Sequence, residues 1–185
     1  MSTNKRDAEV ITIGSGDVYY EEFDEASGMP AITDICVDAK LLGRISGGAT
    51  LEYKGTWYTA KDDTGKVEKT LITDEKVTFK TGIITWNGNT LKVLCATGRV
   101  TESGGKRTVK IGGIGNANRK SYVIAFHHRD VVDGDIWLLL RGTNQGSISL
   151  AFAKDKETTV DAEFTAQAQD NDGTLITYIE EIASA

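Results

Sequence analysis

The chain contains two histidines and they are adjacent, His127-His128. Imidazole pairs hold metal ions, but neighbours on a strand point to opposite faces, so these two cannot close on one ion. Cys36 and Cys95 stand far apart and fit no CxxC spacing, so two free thiols are expected rather than a disulfide. Two acidic groups, Asp130-Asp133-Asp135 and Asp170-Asp172, have oxygen ligands of the kind calcium takes. Neither has the alternating ligands and closing Glu of an EF-hand loop, and Asp in tight turns accounts for both.

The glycine run GGIGNANRKS at 112–121 lacks the glycine directly before lysine that a phosphate loop needs, and a strand-like segment follows it. Gly14-Ser15-Gly16 lies between two strand-like segments, so it reads as a turn and not a dinucleotide fingerprint. No GxSxG nucleophile elbow occurs. Trp57, Trp86 and Trp137 have the flat faces a sugar platform uses, although Trp137, inside IWLLL, reads as core. The residues therefore predict no catalytic site, no cofactor and no metal.

The elements that would carry these residues come from a chain of 185 residues with 20 Gly and one Pro, Pro30, so its turns rest on glycine. The net charge of −6 makes the chain a poor candidate for gripping nucleic acid, which takes clustered Lys and Arg. No apolar run follows the basic residues of MSTNKRDAEV, so no signal peptide is expected, and no segment has the length of a membrane helix.

Most of the chain reads as short strands separated by glycine turns. Val10–Ile13 and Val18–Phe23 predict a hairpin around Gly14-Ser15-Gly16 within an N-terminal arm spanning 1–30. Short apolar pieces follow at Ile32–Val37 and Leu41–Ile45, then Ala49–Tyr53 and Trp57–Ala60, divided at Lys54-Gly55. The polar stretch KDDTGKVEK at 61–69 predicts an exposed loop or hairpin tip. In WNGNTLKVLCATG the period changes: Asn89 as N-cap, Leu91, Leu94 and Cys95 on one face and Gly98 as the stop predict one short helix over 89–97. Tyr122–Phe126, Ile136–Leu140 and Ile148–Phe152 are the most apolar strands and are expected to be buried. Strands at this spacing in one domain, 1–185, predict a mainly β fold, an antiparallel β-sandwich or barrel with one short flanking helix.

The clearest strand runs from Val160 to Ala168. Val160, Ala162, Phe164, Ala166 and Ala168 alternate with Asp161, Glu163, Thr165 and Gln167, giving one dry face and one wet, partly acidic face. Asp172-Gly173 then predicts a hairpin turn joining this strand to a last one at Leu175–Ile179.

In the order of its segments the chain resembles the major tail proteins, the tail tube subunits, of long-tailed bacteriophages. The likeness is carried by LLGRISGGATLEYKGTWYTAKDDTGKVEKTLITDEKVTFKTGIITWNGNTL at 41–91 and by LAFAKDKETTVDAEFTAQAQDNDGTLI at 150–176, and covers about residues 30 to 182. The resemblance implies a virion structural protein, assembled in the host cytoplasm, that forms hexameric rings stacked into a hollow tube. Each subunit would add strands to a continuous inner barrel whose lumen conducts DNA without binding it specifically. Its partners would be further copies of itself, a tail-tip initiator, a tape measure and a tail terminator, with no membrane involved.

On this likeness Asp161 and Glu163 are candidates for the channel lining, where repeated negative charge would repel passing phosphate. The loop with Lys61, Asp62, Asp63, Lys66, Glu68 and Lys69 is the candidate contact between rings. The alternation alone leaves open which face is the lumen. A tube subunit of a contractile tail or of a phage-like bacteriocin would share the pattern. A carbohydrate- or receptor-binding module of a virion is a further reading, resting on the tryptophans.

Overall fold

Nine strands and two short helices make up the computed structural model, which describes residues 10–182. The strands are β1 Asp17–Glu22, β2 Leu41–Lys61, β3 Glu68–Ile83, β4 Arg99–Ser103, β5 Lys106–Lys110, β6 Tyr122–His128, β7 Ile136–Asn144, β8 Val160–Gln167 and β9 Thr177–Glu180. The helices are α1 Ile32–Ile35 and α2 Gly88–Leu94.

All pairings are antiparallel, and the main ladder closes on itself through β1, β2, β3, β8, β7, β6 and back to β1. The fold is therefore mainly β and takes the barrel form of the expected architecture. β9 lies on β7 just past the end of β8, so the last two strands share one edge of β7. The turn expected at Asp172-Gly173 is present, with Gly173 at φ 81° and the Asp170 carboxylate accepting from the amides of Asp172 and Thr174. It joins strands that run along a common neighbour, not a hairpin.

Two cores explain two kinds of strand pattern. The barrel interior holds Val18, Leu42, Phe79, Ile83, Ile124, Leu140, Val160 and Phe164, with Leu91, Val93 and Leu94 of α2 packed among them. A second core forms outside the barrel, where Ile35 of α1 packs on Tyr19, Val123, Ala125 and Leu139. The strands β1, β6 and β7 are thus covered on both faces, which is why YVIAF and LLL read as unbroken apolar runs. The other half, β2, β3 and β8, is covered mainly on one face, and β8 keeps its alternation: Val160, Ala162 and Phe164 are buried while Asp161 is exposed.

Several expectations are corrected. Residues 10–16 form no strand, and Ile11 and Ile13 are exposed. β1 pairs instead with β2 and β6, so there is no hairpin around Gly14-Ser15-Gly16; the first nine residues of the expected arm lie outside the described ones. Part of the 32–37 piece is helical. Ile148–Phe152 is not a strand: Ile148 packs on the core, but Phe152 is 77% exposed and faces the Trp86 ring.

The main helix starts at Gly88, one residue earlier than expected, and ends at Leu94 rather than 97. Its cap is Asn87, whose side chain accepts from the amides of Asn89 and Thr90 while the Thr90 hydroxyl accepts from the Asn87 amide. That reciprocal pair satisfies donors a first turn leaves open. Thr90 Oγ1 also donates to the Leu42 carbonyl and ties the helix to the barrel.

Candidate assembly surface

Lys54-Gly55, expected to divide two strands, lies inside one. β2 runs unbroken for 21 residues and pairs with β3 from Ile45↔Ile83 out to Lys61↔Glu68. Only the inner part belongs to the barrel. β1 reaches β2 no further than Arg44, and β8 covers β3 only from Thr78 to Ile83. Beyond those points the two strands pair with each other alone among the described residues. The result is a ribbon of nine residues on its β2 side, Tyr53 to Lys61, roughly 30 Å long at the usual rise per residue.

The ribbon leaves the barrel at a bulge. The register slips between Ser46 and Ala49, and Gly47 and Gly48 have φ of 79° and 81°, left-handed values that a side chain would resist. Past the bulge, the face that continues the barrel core carries Leu51, Tyr53 and Trp57 on β2 and Ile72 on β3. These meet around Gly55, where an added Cβ would lie 2.9 Å from the Ile72 side chain and 3.3 Å from Trp57 Nε1. The glycine in the middle of this strand makes room for a tyrosine, a tryptophan and an isoleucine to gather. Trp57 is nevertheless 64% exposed and Tyr53 58%.

The tip is a tight turn of six residues between Lys61 and Glu68. Asp62 organises it: its carboxylate accepts from the Val67 amide at 2.8 Å and from the Thr64 hydroxyl, and its carbonyl accepts from Gly65 at φ 67°. The Thr64 hydroxyl and then the Val67 amide hold the Asp62 carboxyl below the usual range. Lys61 and Glu68 form a 2.9 Å ion pair across the last rung, and Lys69 pairs with Ala60 inside the ladder. Of the six charged residues of the loop expected at 61–69, Asp62, Asp63 and Lys66 lie in the turn itself, and Lys61, Glu68 and Lys69 belong to the strands.

The opposite, wet face joins β2, β3 and β8. Asp161 is exposed and Glu163 half-buried on it, and Lys80 Nζ approaches Glu163 Oε1 at 3.5 Å. The cross-strand register brings Glu52, Lys54, Lys76 and Lys80 to this same face. Three acids thus stand among three lysines, and the surface is charge-balanced rather than acidic. Pattern along β8 alone misses this, because the balancing lysines belong to β3 and β2. Above Asp161 and Glu163 an open depression of about 460 Å³ is bordered by Gly47, Gly48, Gly82 and Gly146.

The other chemical candidates serve structure. His127 and His128 do diverge: His127 Nε2 meets Asp135 Oδ2 at 2.7 Å and its ring stacks on Trp137 at 4.9 Å, while buried His128 donates through Nδ1 to the Ser15 carbonyl. Burial raises the Asp135 carboxyl, but the Asp130 amide and then the His127 ring outweigh it, and its pKa lies below the ordinary value. Asp130 closes its own turn by accepting from the amides of Val132 and Asp133. Among the described residues no cluster of three or more His, Cys, Asp or Glu is arranged to hold a metal ion.

Cys36 and Cys95 are free, half-buried thiols; burial pushes Cys36 up to about 11, partly countered by Arg129. The 112–121 run contains a single 3-10 turn, Ile114–Asn116. The three tryptophans occupy three separate places: Trp57 on the ribbon, Trp137 over the second core, and Trp86 donating to the Thr158 carbonyl at 3.1 Å. No helix among the described residues is long and apolar enough to cross a membrane.

No protein-family model matches this chain, and no curated protein matches it.

Proposed function

We propose that this chain is the repeating subunit of a self-assembled hollow tube, the tail tube of a long-tailed bacteriophage, built from stacked hexameric rings that conduct DNA to the host. The observation that carries the reading is the β2–β3 ribbon. An isolated two-stranded hairpin is marginally stable in water, and open strand edges are templates for another chain. A ribbon of about 30 Å whose edges have no partner among the described residues, with an aromatic cluster on one face, is suited to completion by neighbours.

Hydrogen bonding of β2 and β3 edges between copies would extend the barrel sheet around a ring. In that arrangement the wet face of β2, β3 and β8 lines the passage. Lys80 meets Glu163, and Lys54 and Lys76 share the face with Glu52 and Asp161, so the face has no net positive charge and passing phosphate gains little from releasing its counterions. A contractile-tail or bacteriocin tube subunit would use the same surfaces. The exposed Trp57 ring also favours a second reading, a carbohydrate- or receptor-binding module of a virion, with the ring stacked on a sugar face.

Negative-stain microscopy of the concentrated protein, with and without a tail-tip initiator, separates these readings. Rings or hollow tubes are the expected result. A protein that stays monomeric under every condition contradicts the tube.

A further inference from the structure

Charge is divided along this chain in a way its net value hides. Residues 81–120 carry seven Lys and Arg against the single acid Glu102, a local charge of +6 that leaves −12 on the rest. These residues form one connection. β3 ends at Ile83, then come α2, the β4–β5 hairpin and the 3-10 turn, and β6 begins at Tyr122. α2 is anchored where the Asn144 side chain donates to the Leu94 carbonyl, at the end of β7. The hairpin packs Val109 against the barrel core, and its opposite face presents Arg99, Lys106 and Lys110 to solvent.

The far end of the same barrel is acidic. β6 ends at His128, and the turn after it holds Asp130, Asp133 and Asp135, fastened to the segment after β9 by the Glu181 amide donating to the Asp135 carbonyl; the cations at this end, Arg129 and Arg44, both approach Asp17. Glu180 is exposed beside it on β9. The seven residues of β6 separate the two ends by about 20 Å. Each end also bears an exposed apolar pair: Ile111 (54%) and Ile114 (92%) on the basic connection, Val131 (93%) and Val132 (69%) on the acidic turn.

Apolar residues beside charged ones are the anatomy of a protein interface, and here the β4–β5 hairpin and the far turn carry opposite charge, although Glu21 and Glu22 of β1 stand at the hairpin's end of the barrel and Glu22 pairs with Lys120. Being at opposite ends, they cannot meet within one copy. We infer that copies join head to tail along the barrel axis, the basic connection at 97–120 of one seating on the acidic turn at 130–135 and Glu180 of the next. Such a contact is heterologous and does not close, so it generates a filament. It rests on the tube reading and deepens it: stacking is electrostatic and uses these ends in addition to the ribbon tip.

The test is a pair of charge reversals, Lys106→Glu with Lys110→Glu, and Asp133→Lys with Glu180→Lys, each checked for folding by circular dichroism. Each double variant should form rings yet shorten tubes at least about tenfold, as expected of like charge across an interface. An equimolar mixture of the two should restore long tubes, because alternating copies again meet opposite charge. Ile114→Asp should shorten tubes in the same way. Tubes of normal length from both double variants, or a mixture no better than either alone, overturn the inference while leaving the tube reading standing. Absence of rings from the wild-type protein overturns both.

Discussion

The same two strands live two lives in this molecule. The inner halves of β2 and β3 sit in a closed barrel, flanked by β1 and β8, with Leu42, Phe79 and Ile83 at 2% exposure or less. Their outer parts, Tyr53–Lys61 of β2 and Glu68–Val77 of β3, pair only with each other among the described residues, and Trp57 and Tyr58 are both more than half exposed. Propensity and pairing are alike on both sides of the bulge; what differs is whether anything lies against them. Fold stability therefore resides in the barrel, and on the tube proposal the ribbon would draw its stability from other copies.

Substitutions in the two halves should separate these roles. Phe164→Ala, in the barrel interior at 0% exposure, removes a buried ring and should cost about 3–5 kcal/mol in denaturant unfolding. Tyr53→Ala with Trp57→Ala should shift the same unfolding midpoint by no more than about 0.5 kcal/mol per site, yet abolish tubes in the microscope. A ribbon variant that melted like Phe164→Ala would mean that the ribbon belongs to the fold. Asn87→Ala removes the capping pair of α2 and should cost about 1 kcal/mol, with assembly otherwise intact.

The smallest effect on folding is expected at the wet face. Asp161→Lys with Glu163→Lys changes each subunit's contribution from −2 to +2 and takes away the partner of Lys80. The wild-type melting curve should be nearly preserved, because Asp161 is exposed and Glu163 half-exposed. Tailed particles carrying the pair should deliver DNA slowly, with the deficit eased by raised salt as counterion release weakens. Delivery at the normal rate would move these carboxylates to the outside of the tube.

How far the sequence foretold this depends on how local the signal was. Strand β8 was legible because its alternation is a property of eight neighbouring residues, and the Asp62 turn because Asp, Thr and Gly bond within it. The long hairpin was hidden by Gly55, which in isolation reads as punctuation and in the fold is room for Trp57 and Ile72. The 148–152 segment misled in the other direction. Apolar residues indicate burial, but no neighbouring strand offers this segment a ladder. Barrel closure through β6 and β7 and the lysines facing Asp161 and Glu163 depend on register between distant segments, which composition and periodicity do not encode.

The central claim is that neighbouring copies complete the ribbon, and amide hydrogen exchange tests it most directly. In the monomer, amides of barrel strands β6 and β7 should exchange slowly, and those of Tyr53–Lys61 and Glu68–Lys76 rapidly. In assembled tubes the ribbon amides should gain protection approaching that of the barrel, because edge groups that faced water are then paired. Tubes whose ribbon amides still exchange as fast as in the monomer would contradict the account.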